Sequence, residues 1–218
     1  DGRNDIICSC LNNQVQLFRN KGNGTFLQPR SFTTLFPGYQ WVGDINHDGR
    51  LDVVVTKEDP SGALAVLLGV NDSTLAAPIY TQLVVDPRGF AAVDIGHDGD
   101  IDLIATSWTT NRIVTLMGDG TGHFVAAANY LAGKSPSGVV AQDMDRDGKV
   151  DFATIGSASM LNVFRNHGGG SFGPQFVYQA QSLPQQVAVG RVDMDNYSDV
   201  VVGNWGAHSI SLYLGNGA

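Results

Sequence analysis

The sequence predicts an all-β fold, a β-propeller of four-stranded blades, and three observations carry the prediction. An acidic segment recurs along the 218 residues at intervals of 47 to 50. Each copy is followed by a short run rich in Val and Ile, of the length and composition of a buried strand. No stretch sustains a helical period. Self-similarity at this interval marks a solenoid, a propeller or an array, and four strands per ~48 residues is a propeller blade.

The elements follow one another in a fixed order. The acidic segments read D-I-N-H-D-G-R-L-D from Asp44, D-I-G-H-D-G-D-I-D from Asp94, D-M-D-R-D-G-K-V-D from Asp143 and R-V-D-M-D-N-Y-S-D from Arg191, with a truncated copy ending at Asp5. After them stand I-I-C-S-C, V-V-V-T, L-I-A-T-S, F-A-T-I-G and V-V-V-G-N, the first apolar strands. Past a polar turn come V-Q-L-F-R-N, L-A-V-L-L-G, I-V-T-L-M-G, L-N-V-F-R-N and I-S-L-Y-L-G, antiparallel partners by hairpin logic. A Gly-rich turn follows (Asn20 to Gly24, Gly118 to Gly122, Asn166 to Gly170), then an aromatic, Phe26, Phe124 or Phe172, opening a third run. A fourth run, such as Trp41-Val42-Gly43, leads into the next acidic segment. The layout gives about eighteen strands, about 4.5 repeats. Residues 1–218 are thus expected to form a single, partial propeller, part of a seven-bladed ring that would take roughly 340 residues.

Composition, 43% apolar and 16% charged, is that of a folded soluble chain. The formal charge of −8 carries the information in its placement. Of 21 acidic residues only Glu58 is Glu, and sixteen of the Asp lie in the five repeat segments. Asp is poor in helices and favoured in turns, where it bonds backbone or holds a metal.

Within a segment, oxygens come from positions 1, 3, 5 and 9, with a backbone carbonyl expected at position 7 and Gly at position 6, where φ > 0 is needed. Alternating carboxylates around a tight loop suit one hard cation, and calcium tolerates the irregular geometry that magnesium does not. Zinc and softer metals are disfavoured because no Cys or His stands at a ligand position. The candidate ligands are Asp44, Asn46, Asp48, Arg50 (carbonyl) and Asp52; Asp94, Asp98, Asp100 and Asp102; Asp143, Asp145, Asp147, Lys149 (carbonyl) and Asp151; and Asp193, Asp195 and Asp199. The helix-loop-helix calcium motif is excluded, since its position-12 acid is here Val55, Ala105, Thr154 and Val202. The competing account, a turn-rich hairpin connection, weakens with each copy in register. Three loops are expected to hold calcium. The Asp94 loop loses a ligand at Gly96; in the Arg191 loop either a metal or the Arg191 guanidinium pairs with the carboxylates, and Asn196 replaces Gly. Three filled loops would move the formal −8 to −2.

The pattern resembles the FG-GAP/VCBS repeats of integrin-α-like β-propellers. V-G-D-I-N-H-D-G-R-L-D-V-V-V, A-A-V-D-I-G-H-D-G-D-I-D-L-I-A and the turns N-K-G-N-G-T-F and N-H-G-G-G-S-F-G-P carry the likeness over nearly the whole chain. The resemblance implies structural calcium in loops joining the first and second strands of each blade. It also implies ligand binding on the opposite face.

That opposite face receives the turns Glu58-Asp59-Pro60, Ser107 to Arg112 and Asn204 to His208, and the starts of the inner strands. The candidate ligand residues are Trp41, Trp108, Asn111, Arg112, Trp205 and His208. Tryptophan flanked by Asn, Arg or His suits a sugar; the plainer account is packing between blades.

Other signals exclude more than they assign. No Lys/Arg cluster offers a nucleic-acid surface, and no apolar run approaches the ~18 residues of a membrane span. Asp1 to Asp5 is not a signal peptide. His47, His97, His123 and His167 form no constellation, and no G-x-S-x-G, H-E-x-x-H or phosphate loop occurs. Cys8 and Cys10, two apart on one strand, face the same way and do not bridge each other. Asn23-Gly24-Thr25, Asn71-Asp72-Ser73 and Asn196-Tyr197-Ser198 are N-glycosylation sequons. With calcium loops that fill at millimolar concentration, they point outside the cell. The expectation is a non-enzymatic, extracellular, calcium-stabilised module for adhesion to glycans or proteins. The alternatives are a propeller of a polysaccharide-active enzyme and a structural repeat of a filament or matrix.

Overall fold

A computed structural model describes residues 2–57, 62–83 and 87–217, and these contain strands and turns but no helix. In chain order, β1 (Ile6–Cys10), β2 (Gln14–Phe18) and β3 (Arg30–Thr33) form a three-stranded antiparallel sheet. β4 (Pro37–Gly43), β5 (Asp52–Lys57) and β6 (Ala63–Leu67) precede a small hairpin, β7 (Gly69–Asn71) with β8 (Thr74–Leu75). The outer strand β9 (Ile79–Gln82) then completes a sheet ordered β4-β5-β6-β9. β10 (Pro87–Val93), β11 (Asp102–Ser107), β12 (Arg112–Gly118) and β13 (Phe124–Leu131) repeat the pattern. So do β14 (Pro136–Gln142), β15 (Asp151–Gly156), β16 (Met160–Phe164) and β17 (Phe176–Gln179). β18 (Pro184–Gly190), β19 (Asp199–Asn204) and β20 (Ser209–Tyr213) form the last, three-stranded sheet.

These are the meandering antiparallel sheets of propeller blades, in the strand order the repeat predicts. The hairpin β7-β8 is additional: it stands in the second repeat where the others carry a Gly-rich turn. Phe26 and Phe172 differ slightly from expectation, making single bridges to Asn20 and Asn166 ahead of the outer strands. Phe124 does begin its strand. The turn at Glu58-Asp59-Pro60 lies outside the described residues.

The chain divides into two compact units, residues 1–86 with 119–123, and 87–118 with 124–218. In the first, Val15, Val53, Val55, Ala65 and Leu67 form the core. In the second, Ile95, Ile104, Ile113 and Phe152 pack with Phe164 and Phe172, while Ile155, Leu161, Val200 and Val202 pack with Val187 and Val189. β11 and β15 are buried along their full length, as sheets covered on both faces require, so their sequences read as continuous apolar runs rather than alternating ones.

Strand direction sorts the connections. The acidic segments join first to second strands, so they share one strand end with the turns that follow β2, β12 and β16. The link between the two kinds of connection is tight: a Cβ on Gly118 would lie 2.3 Å from the Ile101 carbonyl, and one on Gly69 2.5 Å from the Leu51 carbonyl. Gly118→Ala is therefore expected to cost about 1–3 kcal/mol, read by chemical denaturation.

Candidate functional site

The last Asp of each acidic segment is built into the fold. Asp52, Asp102, Asp151 and Asp199 are completely or almost completely buried. In each, one carboxylate oxygen accepts the N–H of loop position 2: Ile45 at 2.8 Å, Ile95 at 2.9 Å, Met144 at 3.1 Å and Val192 at 2.7 Å. The other oxygen accepts an N–H at the far end of the next strand, β6, β12, β16 or β20: Gly69 (2.7 Å), Gly118 (2.8 Å), Asn166 (2.9 Å) and Gly215 (2.9 Å). Asp5 does the same to the Asn20 N–H at 2.8 Å. One short carboxylate thus ties two connections together, a role that Glu, longer by a methylene, would not fill at these distances.

Positions 1, 3 and 5 fold the loop over this anchor. Asp44, Asp94 and Asp143 accept the N–H groups of Gly49, Gly99 and Gly148 at 2.9–3.0 Å. Asp48, Asp98, Asp147 and Asp195 each accept the N–H two residues on. The glycines at position 6 are left-handed, as predicted. So are the residues at position 4, His47, His97 and Arg146, with φ of 57–67°, which the sequence reading did not anticipate. Asn196 departs from expectation: neither it nor Met194 adopts the left-handed conformation, so the Arg191 loop turns differently.

Two loops bring three carboxylates together, with one oxygen from each within 4.8 Å of the others: Asp143, Asp145 and Asp151, and Asp193, Asp195 and Asp199. Converging like charges are the donor set of a hard cation, and the all-oxygen chemistry fits calcium. In the Asp44 loop the third position is the amide of Asn46, bonded to Asp48 at 3.0 Å, and in the Asp94 loop it is Gly96. Arg191 makes no ion pair with Asp193, Asp195 or Asp199 among the described residues, so the guanidinium alternative for that loop is not what the structure contains. Cations that meet loop carboxylates include Arg50 on Asp48 (2.5 Å), Lys149 on Asp147 (2.5 Å) and Arg165 on Asp145 (3.4 Å).

The charges respond accordingly. Burial pushes Asp102 and Asp151 above the ordinary carboxylate value in spite of their backbone hydrogen bonds, and at Asp151 the neighbouring Asp145 and Asp147 add to the rise. At Asp199 the Val192 and Gly215 N–H groups prevail and the value falls. The Lys149 ammonium lowers Asp147; at Asp48 burial opposes, but bonds from Arg50 and Asn46 outweigh it and lower the value.

At the other strand end of the second unit, Trp108 and Trp205 each follow directly on a second strand and are exposed, Trp205 by 69%. The Arg88 guanidinium lies 5.8 Å from the centre of the Trp108 ring. Leu183, itself exposed, accepts the Trp205 N–H at 3.0 Å. Asn111 and Arg112 are engaged within the fold: Asn111 Oδ1 accepts the Ser135 N–H at 2.8 Å, and Arg112 donates to Asn129 at 2.7 Å. His208 is a left-handed turn residue with an exposed side chain. Trp41 does not join them. It lies inside β4, half-buried, with its ring over Gly43 at the acidic-loop end of the strand, where a Cβ would come within 2.0 Å of the ring.

A second staple works at this end, unpredicted from the sequence. Asn13 takes the Thr34 N–H on its carbonyl and the Phe36 N–H on Oδ1; Asn111 treats Ala132 and Ser135 in the same way. Both asparagines are left-handed. The signal was present: Asn stands just before β2 and just before β12.

Of the sequons, Asn23 and Asn71 are exposed, whereas Ser198 is buried and its hydroxyl is bonded to Gln142 and Asp143. Cys8 and Cys10 are free thiols.

Repeated antiparallel sheets tied by buried Asp, with carboxylates gathered at one strand end, define a β-propeller protein with acidic inter-strand loops. The FG-GAP-like repeat model matches residues 1–55, 44–105, 94–154 and 143–202 in overlapping copies, and the chain belongs to that family. It is 26% identical over 186 residues to cartilage acidic protein 1 of Xenopus tropicalis, and 26% over 187 residues to that of Mus musculus. Each alignment covers 76% of this chain but only 29% of the relative. Among solved structures it is similar to BBS1N in complex with ARL6DN (TM-score 0.66, 18% identity, covering 94% of this chain and 59% of that one). It is also similar to a mutant Aleuria aurantia lectin in complex with Fucalpha1-6GlcNAc (TM-score 0.55, 14% identity, 97% and 74% covered). These structural likenesses show the propeller fold.

Proposed function

We propose that the chain is a calcium-stabilised, extracellular binding module that engages a glycan or protein partner at the strand end opposite its acidic loops. The observation that carries the reading is Trp205, a large ring exposed by 69% on a turn, with Leu183 exposed beside it. An apolar surface of this kind, rimmed by polar groups, is what recognition faces present. The similar solved propellers include one bound to a protein and one bound to a sugar, which favours both ligand classes for such a scaffold. Calcium is supported by the two carboxylate triplets, and an extracellular setting by the exposed Asn23 and Asn71 sequons. The module is non-catalytic in this reading: every carboxylate side chain of the second unit's described residues lies in an acidic loop, leaving none beside Trp108 or Trp205 to act as acid or base.

The test is retention. Wild-type protein is expected to bind a glycan array or an extracellular-matrix extract saturably, and Trp205→Ala to lose most of that binding with an unchanged melting temperature. Retention untouched by Trp205→Ala and Trp108→Ala together would remove this face from the proposal. Turnover of a retained glycan would favour the enzyme alternative.

A further inference from the structure

The second unit separates its charges by strand end. Its eleven Asp all fall in the loops beginning at Asp94, Asp143 and Arg191, and it contains no Glu. The opposite end carries Arg88, Arg112, Lys134 and His208, with the rings of Trp108 and Trp205. In a chain with a formal charge of −8, this end of the second unit has no described carboxylate and carries the exposed Arg88 and Lys134, the half-buried Arg112 and two exposed indoles. Solvation alone gives no reason for this sorting.

We propose that this end of the second unit binds an anionic glycan, a linear polysaccharide bearing carboxylate or sulfate groups; the proposal rests on reading this end as the binding face. Arg112 and Lys134 supply the anion contacts. Arg112 is held in place by a neutral partner, the Asn129 amide, so its charge is not cancelled. Lys134 is exposed and lies on the link between β13 and β14, one residue before Ser135, whose left-handed backbone is held by Asn111. The Arg112 guanidinium is therefore held by the scaffold, which reduces the entropy lost on binding, and Lys134 stands on a link whose next residue is bonded in place.

The indoles argue for a sugar rather than an acidic peptide. Trp108 and Trp205 occupy the same position two repeats apart, with Ser157 at that position in the repeat between them; Arg112 lies in the repeat of Trp108 and Lys134 on the link that follows it. Flat apolar rings on an end that also carries positive charge match a polymer whose units present both a C–H face and an anion. The rest of the turns, Ser107-Trp108-Thr109-Thr110 and Ser157-Ala158-Ser159, is small and hydroxyl-rich, suited to meeting sugar hydroxyls.

The experiment compares hyaluronan, chondroitin sulfate, neutral dextran and poly-glutamate as immobilised probes for the calcium-loaded chain, at low and high salt. The expected result is retention by hyaluronan or chondroitin sulfate and not by dextran, reduced by salt. It should weaken about tenfold in Arg112→Gln with Lys134→Ala, weaken also in Trp108→Ala, and stay unchanged in Lys21→Ala, a cation at the acidic-loop end. Melting curves establish that each variant is folded. Dextran binding that Trp205→Ala removes would overturn the anionic class and leave the binding face standing. Retention by poly-glutamate alone would overturn the glycan in favour of an acidic protein. Anionic-glycan binding indifferent to Arg112 and Lys134 would overturn the assigned residues, and no retention of any probe, together with no partner lost in Trp205→Ala, would overturn both readings.

Discussion

Asp151→Asn is expected to destabilise the second unit by about 1–3 kcal/mol, seen as an earlier denaturant midpoint in calcium-free buffer. The carboxylate is buried, and its two oxygens accept the Met144 and Asn166 N–H groups from different connections. An amide has one acceptor oxygen, so its NH2 would face one of those donors and leave it buried and unpaired. The neighbouring Asp147→Asn is the control. That side chain is exposed by 37% and accepts only from Lys149, so its replacement should stay within about 0.5 kcal/mol without calcium while weakening calcium binding. Equal losses in the two variants would refute the division between the Asp at position 9, which ties two connections together, and the Asp at position 5, which does not.

That division marks how far the sequence could be read. The interval of the acidic segments, the Val-rich runs and the glycines at position 6 were legible because each expresses a local requirement: burial on two faces, or φ > 0. The blade order followed from them by antiparallel logic alone. Asp52, Asp102, Asp151 and Asp199 were legible as oxygen donors but not as ties between connections. Their second partners, Gly69, Gly118, Asn166 and Gly215, lie 15 to 17 residues away, and only the folded hairpin brings them near. The β7-β8 hairpin escaped for the opposite reason, since Gly69 to Leu75 has none of the glycine density of its counterparts. At the other strand end, Trp108 and Trp205 stand where strand direction placed them. Trp41 does not, because a position inside a strand says nothing about which way its long side chain leans, and the bare Cα of Gly43 gives the ring a place to lie.

Chelation is expected to produce the largest change of state, and its size should depend on pH in a direction the buried carboxylates set. At calcium a hundredfold above a loop's dissociation constant, each filled loop adds about 2.7 kcal/mol to stability, so emptying several should lower the melting temperature sharply. An unchanged melt on addition of chelator would exclude calcium stabilisation. The pH dependence follows from Asp102 and Asp151. Their pKa values are raised in the folded chain, so without metal their contribution to stability is present below the ordinary value of 3.8 and lost as pH rises through the raised one. Asp147 and Asp199, with lowered values, run the other way: their contribution is present above the ordinary value and lost as pH falls below it. A calcium ion bound in these loops would favour the ionised form and offset the penalty that burial imposes on a buried carboxylate such as Asp151. The gain in melting temperature from saturating calcium should therefore be larger at about pH 7 than near the ordinary carboxylate value, where protons compete for the same oxygens. A gain of equal size at both would mean that protons do not compete with the ion, which would refute its being held by these carboxylates.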